Sequence, residues 1–213
     1  EDIEAIVKAF QDVLMAVKYS EKPVVAAPFG LTLAGGCEVC LASAKMRAAA
    51  ETYMGLVEIG VGLIPAGGGT KEMLLRCTEG IPPGVTDADL LPFVRQAFET
   101  VAMAKVATSA KEAQKLGYMR PTDKITINRD YLIYDAKKTV LDLVAEGYRA
   151  PRPKKNIKVM GERGYALLQM GLFYMKEGGY ISQHDEHVSK KVAHVMTGGN
   201  LPDVTEVTEQ YIL

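Results

Sequence analysis

Two glutamates in glycine-rich surroundings are the residues of this chain best suited to proton chemistry. Glu38 ends the run Leu33-Ala34-Gly35-Gly36-Cys37-Glu38, between a short apolar stretch and the start of a helical pattern. Glycines there let backbone approach a ligand closely. The first N–H groups of a helix have no partner within it and form a small positive pole. An oxygen that gains negative charge during a reaction, such as that of an enolate, would be held at such a pole. Glu38 falls in the first helical turn, beside those donors. Glu58 lies twenty residues on, in Val57-Glu58-Ile59, among glycine and apolar side chains. Poor solvation there would raise its pKa and let it keep a proton near neutrality. Adding water to a double bond needs one group to take a proton from water and another to give a proton to carbon. Two carboxyls in different environments can divide those tasks. Each also has a plainer reading. A glutamate in the first turn often serves only the helix dipole, and most glutamates are solvated surface residues. The pair in its glycine context carries more than either member.

The elements around them follow from pattern. Residues 1–18 read as a helix, with Ile3, Ile6, Val7, Phe10, Val13, Leu14 and Val17 at helical spacing. Pro23 to Phe29 is an apolar run closed by Gly30, which predicts a buried strand. Cys37 to Ala44 reads as a helix and Met46 to Ala50 as a second short strand. Tyr53 to Gly62 is loop-like, Ile64 to Thr70 is a glycine-rich turn, and Lys71 to Arg76 begins another helix. Beyond residue 77 the chain turns helical. A surface loop is expected over 79–91, then a helix over 92–107. Ser109 with Glu112 predicts a capping box, with Gly117 as the C-terminal stop. A helix over 129–146 stops at Gly147. Ala150-Pro151-Arg152-Pro153-Lys154-Lys155 is the clearest linker. Helices follow at about 162–177 and 183–196, each succeeded by a Gly-Gly pair, and another starts near Thr205. Few short strands followed by many helices predict α+β or an α/β sheet core with a helical extension.

The bulk numbers narrow the function classes. Hydrophobic residues make up 48% of the 213, enough for a sizeable core. Lys and Arg total 25 against 26 Asp and Glu, so no global field exists to hold nucleic acid or an anionic membrane. No apolar run reaches bilayer length. Three cysteines cannot complete a disulfide framework, and no secretory signal is present, so a cytoplasmic setting is expected. The chain opens on Glu1, already in helical pattern, and stops soon after an acidic helix start. The expectation is a segment of a longer protein.

Residues 22–76 resemble the enoyl-CoA hydratase/isomerase (crotonase) superfamily. The likeness rests on Lys22-Pro23-Val24-Val25-Ala26-Ala27, Ala34-Gly35-Gly36-Cys37-Glu38, Glu58, and Gly62-Leu63-Ile64-Pro65-Ala66-Gly67-Gly68-Gly69-Thr70, in that order. Ser109 to Ala113, leading to Leu116-Gly117, is similar to a later family segment. The resemblance implies a partial crotonase-type ββα spiral core over 1–149 and a helical C-terminal region over 150–213. It implies that Gly35 supplies one N–H of an oxyanion hole, that Glu38 orients and deprotonates water, and that Glu58 protonates the α-carbon of an acyl-CoA substrate. Ala34, Gly36, Pro65 and Gly67 would contact that substrate. Isomerases of the superfamily commonly keep only the second glutamate, so both together favour hydration, a step of fatty acid β-oxidation. Homo-trimers or hexamers are a further implication. The chain departs from the family in three ways. The strand and loop that supply the other oxyanion N–H are not in it, residues 77–108 are longer than usual, and residues 150–213 are unlike the ordinary tail. The wording of 19–76 and the tail look more like bacterial fused 3-hydroxyacyl-CoA dehydrogenases. NAD would then belong to a dehydrogenase part, and no cofactor to this segment, which could be a supporting or weakly active half. A helical assembly module on a dead fold is the non-catalytic alternative.

Other motifs weigh less. Cys37 and Cys40 spell C-x-x-C but suit small apolar positions better than redox or metal work. Gly60-Val61-Gly62 fails as a dinucleotide fingerprint because Pro65 holds the third glycine position. Gly67-Gly68-Gly69-Thr70-Lys71 lacks phosphate-loop order yet could cradle an anion at a helix start. His184 and His187, with His194, read as a polar helix face rather than a metal site. The Arg152–Lys155 cluster reads as solvated linker, with contact to CoA phosphates as the alternative.

Overall fold

The computed structural model describes residues 2–81 and 88–213. In chain order its elements begin with α1 (Asp2–Lys18), β1 (Val25–Ala26), β2 (Leu31–Leu33), α2 (Gly35–Ala42), β3 (Lys45–Ala49) and β4 (Tyr53–Gly55). They continue with α3 (Gly69–Thr78), α4 (Leu91–Ala102), α5 (Ala110–Leu116), β5 (Lys124–Thr126) and α6 (Leu132–Ala145). The last are β6 (Ile157–Val159), α7 (Gly161–Glu177), α8 (Gln183–Thr197), β7 (Thr205–Val207) and α9 (Glu209–Ile212). Contacts divide the chain into two compact units with interleaved sequences. One comprises Glu1–Leu56, Ala66–Gly69 and Val106–Pro153, the other Val57–Pro65, Thr70–Lys105 and Lys154–Leu213.

The first unit is a spiral of strands. β1, β3 and β5 form a parallel sheet in that order, and β2 pairs with β4, also parallel. Parallel neighbours need a crossover. Here each crossover carries a strand of the other sheet: the chain leaves β1, forms β2 and α2, then lays β3 on β1 and β4 on β2. The predicted strand over Pro23–Phe29 shrinks to Val25–Ala26, because the flanking prolines cannot donate to a ladder. Gly30, at φ 59°, turns the chain into β2, which the sequence pattern does not announce. β4 also lies where a loop is expected, its pairing supplied by Leu31–Leu33.

α1 shows its inner face at i, i+3, i+4 and i+7. Leu14 is buried and Val7, Phe10 and Gln11 are half-buried, whereas Ile3, Ile6 and Val13 are exposed. Ser109 caps α5 by accepting from Glu112 N at 3.2 Å, and Gly117 closes it at φ 86°. The expected capping box is half formed, since the Glu112 carboxylate accepts from Thr108 N and Oγ1, both at 2.7 Å. α6 follows a short 3₁₀ turn, Arg129–Tyr131.

In the second unit α8 packs on α7 and α4. Val94, Ala97 and Val101 of α4 and Val192, Ala193 and Met196 of α8 are fully buried. Helix α4 ends at Ala102, earlier than the predicted 107. Thr205 opens a strand rather than a helix: Thr205–Val207 pairs antiparallel with Ile157–Val159. β-branched residues on both sides suit that ladder, and Thr208 then caps α9. Residues 82–87, the middle of the surface loop expected over 79–91, lie outside the described residues, as does Glu1 of the first helix. Among the described residues no helix is long and apolar enough to cross a membrane.

Candidate active site

Strand β2 passes into α2 through one residue. Ala34 has φ 50° and ψ −127°, a conformation L side chains rarely take. Its N–H donates to Gly55 O on β4 at 2.9 Å, and its carbonyl accepts from Glu38 N at 3.0 Å. Ala34 is therefore the last rung of the ladder and the first acceptor of the helix at once. The Gly35 and Gly36 N–H groups precede that first helical hydrogen bond and have no acceptor within the helix. A Cβ on Gly36 would meet nothing within 4 Å, and one on Gly35 would make only ordinary contact with Phe10. Protein packing does not demand glycine at either position; close approach of a ligand to backbone would.

Glu38 points away from solvent, 4% exposed. Its Oε1 accepts from Gly69 N at 2.8 Å, and the Gly67 and Gly68 N–H groups also bond the carboxyl. The glycine run is shaped around this side chain. A Cβ on Gly67 would sit 2.5 Å from Glu38 Oε2 and 2.4 Å from Phe10 Cε1; one on Gly69 would sit 2.9 Å from Oε1 and 2.8 Å from Leu56. The anion cradle read in Gly67–Lys71 is thus present, and what it holds is the Glu38 carboxyl. Burial pushes the Glu38 pKa above the ordinary carboxylate value, while the three backbone N–H groups pull it back down. Gln11 of α1 donates to Ala66 O at 2.8 Å and fixes the near end of the cradle. Neither Phe10 nor Gln11 carries a sequence signal beyond its place on the inner face of a helix.

The second predicted carboxyl belongs to the other unit. Glu58 opens a 3₁₀ turn, Glu58–Val61, and is half-buried. Its carbonyl accepts from Leu63 N at 3.0 Å, and Ile59 O accepts from Gly62 N at 2.9 Å. Gly62 closes the turn in the left-handed region, at φ 77°. Pro65 is buried, and its carbonyl accepts from Thr70 Oγ1 at 3.2 Å. The structure thus brings Ala34, Gly35, Gly36, Glu38 and Gly67 together in the first unit, and Glu58 and Pro65 in one segment of the second.

The remaining motifs resolve individually. Cys37 and Cys40 are buried on α2, and none of the three cysteines is in a disulfide. Burial pushes the Cys77 thiol up to about 11, away from reactive thiolate. Among the described residues no three His, Cys, Asp or Glu side chains gather as a metal site. His194 packs edge-on to Tyr165, while His184 Nε2 lies 3.2 Å from Gly62 O. In the linker, Lys154 Nζ is 3.7 Å from Glu79, and its backbone exchanges bonds with Glu209.

Residues 2–78 match the family model described as Enoyl-CoA hydratase/isomerase, an interval that contains Gly35, Glu38, Glu58, Pro65 and Gly67. Over 212 residues, all of this chain, it is 48% identical to the "Probable 3-hydroxyacyl-CoA dehydrogenase" of Bacillus subtilis, and covers 26% of that protein. It is 38% identical over 63 residues to the crotonyl-CoA hydratase of Syntrophomonas wolfei, which is 30% of this chain and 24% of that one. The matched stretches span about a quarter of the length of either relative. Among solved structures, the enoyl-CoA hydratase from Bacillus anthracis superposes with a TM-score of 0.53 at 20% identity, over 92% of this chain and 61% of that chain. Identity that low speaks for the fold alone. Over residues 2–78 the chain matches the enoyl-CoA hydratase/isomerase family, and its fold is that of the solved enoyl-CoA hydratases.

Proposed function

We propose that this chain adds water to the double bond of a 2-enoyl-CoA. Glu38 takes the proton from water, Glu58 supplies the proton to the α-carbon, and the Gly35 N–H at the start of α2 holds the thioester oxygen as it gains charge. The observation that carries this reading is Glu38: a carboxyl buried to 4% exposure, steadied by backbone donors, in the same helical turn as an open Gly35-Gly36 backbone. A structural glutamate would serve as well on the surface. A buried one with a raised pKa is a stronger base than a surface glutamate, which suits it to taking a proton from water. Open space over the glycine backbone supports approach of a carbonyl to the helix donors, and preorganised donors of that kind lower the barrier to charge development. The reading includes no metal and no cofactor for this segment, with Ala34, Gly36, Pro65 and Gly67 lining the acyl-CoA site.

The test is hydration of crotonyl-CoA, followed by loss of the conjugated thioester absorbance in the full-length chain. Glu38→Gln and Glu58→Gln are each expected to lower kcat by a hundredfold or more, about the range of general acid–base catalysis. Wild-type rates in both variants would remove the two-carboxylate mechanism. The likeness to the Bacillus subtilis protein favours a second reading, in which a longer parent oxidises 3-hydroxyacyl-CoA with NAD and this segment supports it. NADH formation from a 3-hydroxyacyl-CoA, without hydration of crotonyl-CoA, would select that reading.

A further inference from the structure

We propose that His184 is a positioning residue for Glu58, so that the C-terminal helices take part in the hydration step; this rests on the hydratase reading above. His184 stands in the first turn of α8, a helix start fixed by a reciprocal cap. Asp185 N donates to Ser182 Oγ at 3.1 Å, and Ser182 N donates to Asp185 Oδ2 at 2.9 Å. From that fixed start the ring reaches Gly62, 122 residues earlier, with Nε2 at 3.2 Å from the carbonyl. A carbonyl can only accept, so Nε2 must carry a proton and donate.

The ring also covers Gly62 closely. A Cβ there would lie 2.7 Å from Nε2 and 3.1 Å from Cδ2. Gly62 is required by φ +77°, and a Cβ there would in addition push the imidazole off the carbonyl. Gly62 ends the turn that Glu58 begins, and Glu58 O and Ile59 O are tied to Leu63 N and Gly62 N. Four residues in a 3₁₀ turn hold poorly on their own. The imidazole clamps the closing end of this one, which limits the rotation of the peptide that carries the Glu58 side chain. A carboxyl that must deliver its proton to one carbon needs that restraint, since a displacement of about 1 Å can cost on the order of a hundredfold in rate.

The test is a cycle of His184→Ala, His184→Gln and Glu58→Gln on crotonyl-CoA hydration, with amide hydrogen exchange at Gly62 and Leu63. His184→Ala is expected to lower kcat about 10- to 100-fold, with KM within about a factor of two. His184→Gln, whose side-chain N–H can reach the same carbonyl, is expected to recover most of that loss. In a Glu58→Gln background His184→Ala should cost nothing further, because the group it positions is already gone. Exchange at the two amides should quicken in the alanine variant and return toward wild type in the glutamine variant. A normal kcat in His184→Ala beside a crippled Glu58→Gln overturns this inference alone, as do full additivity or unchanged exchange. Wild-type hydration in Glu58→Gln overturns the hydratase reading and this inference with it.

Discussion

The Glu38 carboxyl sits between two opposed influences, and their balance sets a measurable pH profile. Burial is the larger and favours the protonated form; the N–H groups of Gly67, Gly68 and Gly69 favour the charged form. A base must be unprotonated to take a proton from water. The hydration rate should therefore be low below the raised Glu38 pKa and climb as pH rises through it, with a midpoint above the ordinary value of 4.5. An acid limb in kcat/KM centred at or below 4.5 would contradict the assignment. Gly67→Ala probes the same geometry by crowding. The added Cβ would stand 2.5 Å from Oε2 and 2.4 Å from the Phe10 ring, so the carboxyl or the loop must shift. A fall in kcat of about a hundredfold is expected, the size attached to a misplacement of about an ångström, with the overall fold retained by circular dichroism. An unchanged kcat would mean that the cradle only stores the side chain.

At the scale of elements, legibility followed the range of the interaction that makes each one. The start of α2 and the glycine run at 67–69 could be read because both are local: caps, left-handed turns and close backbone contacts need particular residues at particular offsets. Strands β2, β4 and β5, each of three residues, show no alternation to read, and exist through parallel partners twenty or more residues away. The contact of His184 with Gly62 had no local signal either. Asp135 shows how such an element is held once formed. It accepts from Thr126 Oγ1 of β5 at 2.7 Å and from Arg47 Nη2 of β3 at 2.8 Å, tying α6 to two strands. The Thr126 hydroxyl first, and then Arg47, hold its carboxyl below the usual aspartate pKa. With the folded pKa depressed, the stabilisation is present above the unfolded value of 3.8 and fades as pH falls through the lower folded one. Asp135→Asn should lower the melting temperature by a few degrees at neutral pH, with the gap closing in acid. A gap that persists unchanged below pH 3 would show that shape, not charge, does the tying.

At the scale of the whole molecule, ionic groups far apart in sequence are buried together in the second unit. Lys71 Nζ lies 2.8 Å from Glu72 Oε1 and 2.9 Å from Glu209 Oε1, with the three side chains at 4%, 4% and 1% exposure. Glu209 also accepts from Lys154 N at 3.2 Å, and its own N–H donates to Lys154 O at 2.9 Å. One side chain near the end of the chain thus fastens α9 to α3 and to the segment ahead of β6. The sequence shows Lys71 only as the first residue of a helix after a glycine-rich turn and Glu209 only as an acid at a helix start. Nothing in either neighbourhood marks a partner 138 residues away. Charges removed from water at this depth add little net stability when paired, yet removing one partner leaves the other buried without its counter-charge. Glu72 stays beside Lys71, which softens the loss. Glu209→Ala should therefore cost about 3 kcal/mol in denaturant unfolding, at the low end for a broken buried pair. Replacing all three with apolar residues, Lys71→Met with Glu72→Leu and Glu209→Leu, should recover much of it, since no buried charge is then left without its partner. A single variant as stable as wild type would mean that burial of Ile212 is enough to hold α9, and a triple variant worse than the single would mean that the ion cluster directs the fold rather than merely surviving within it.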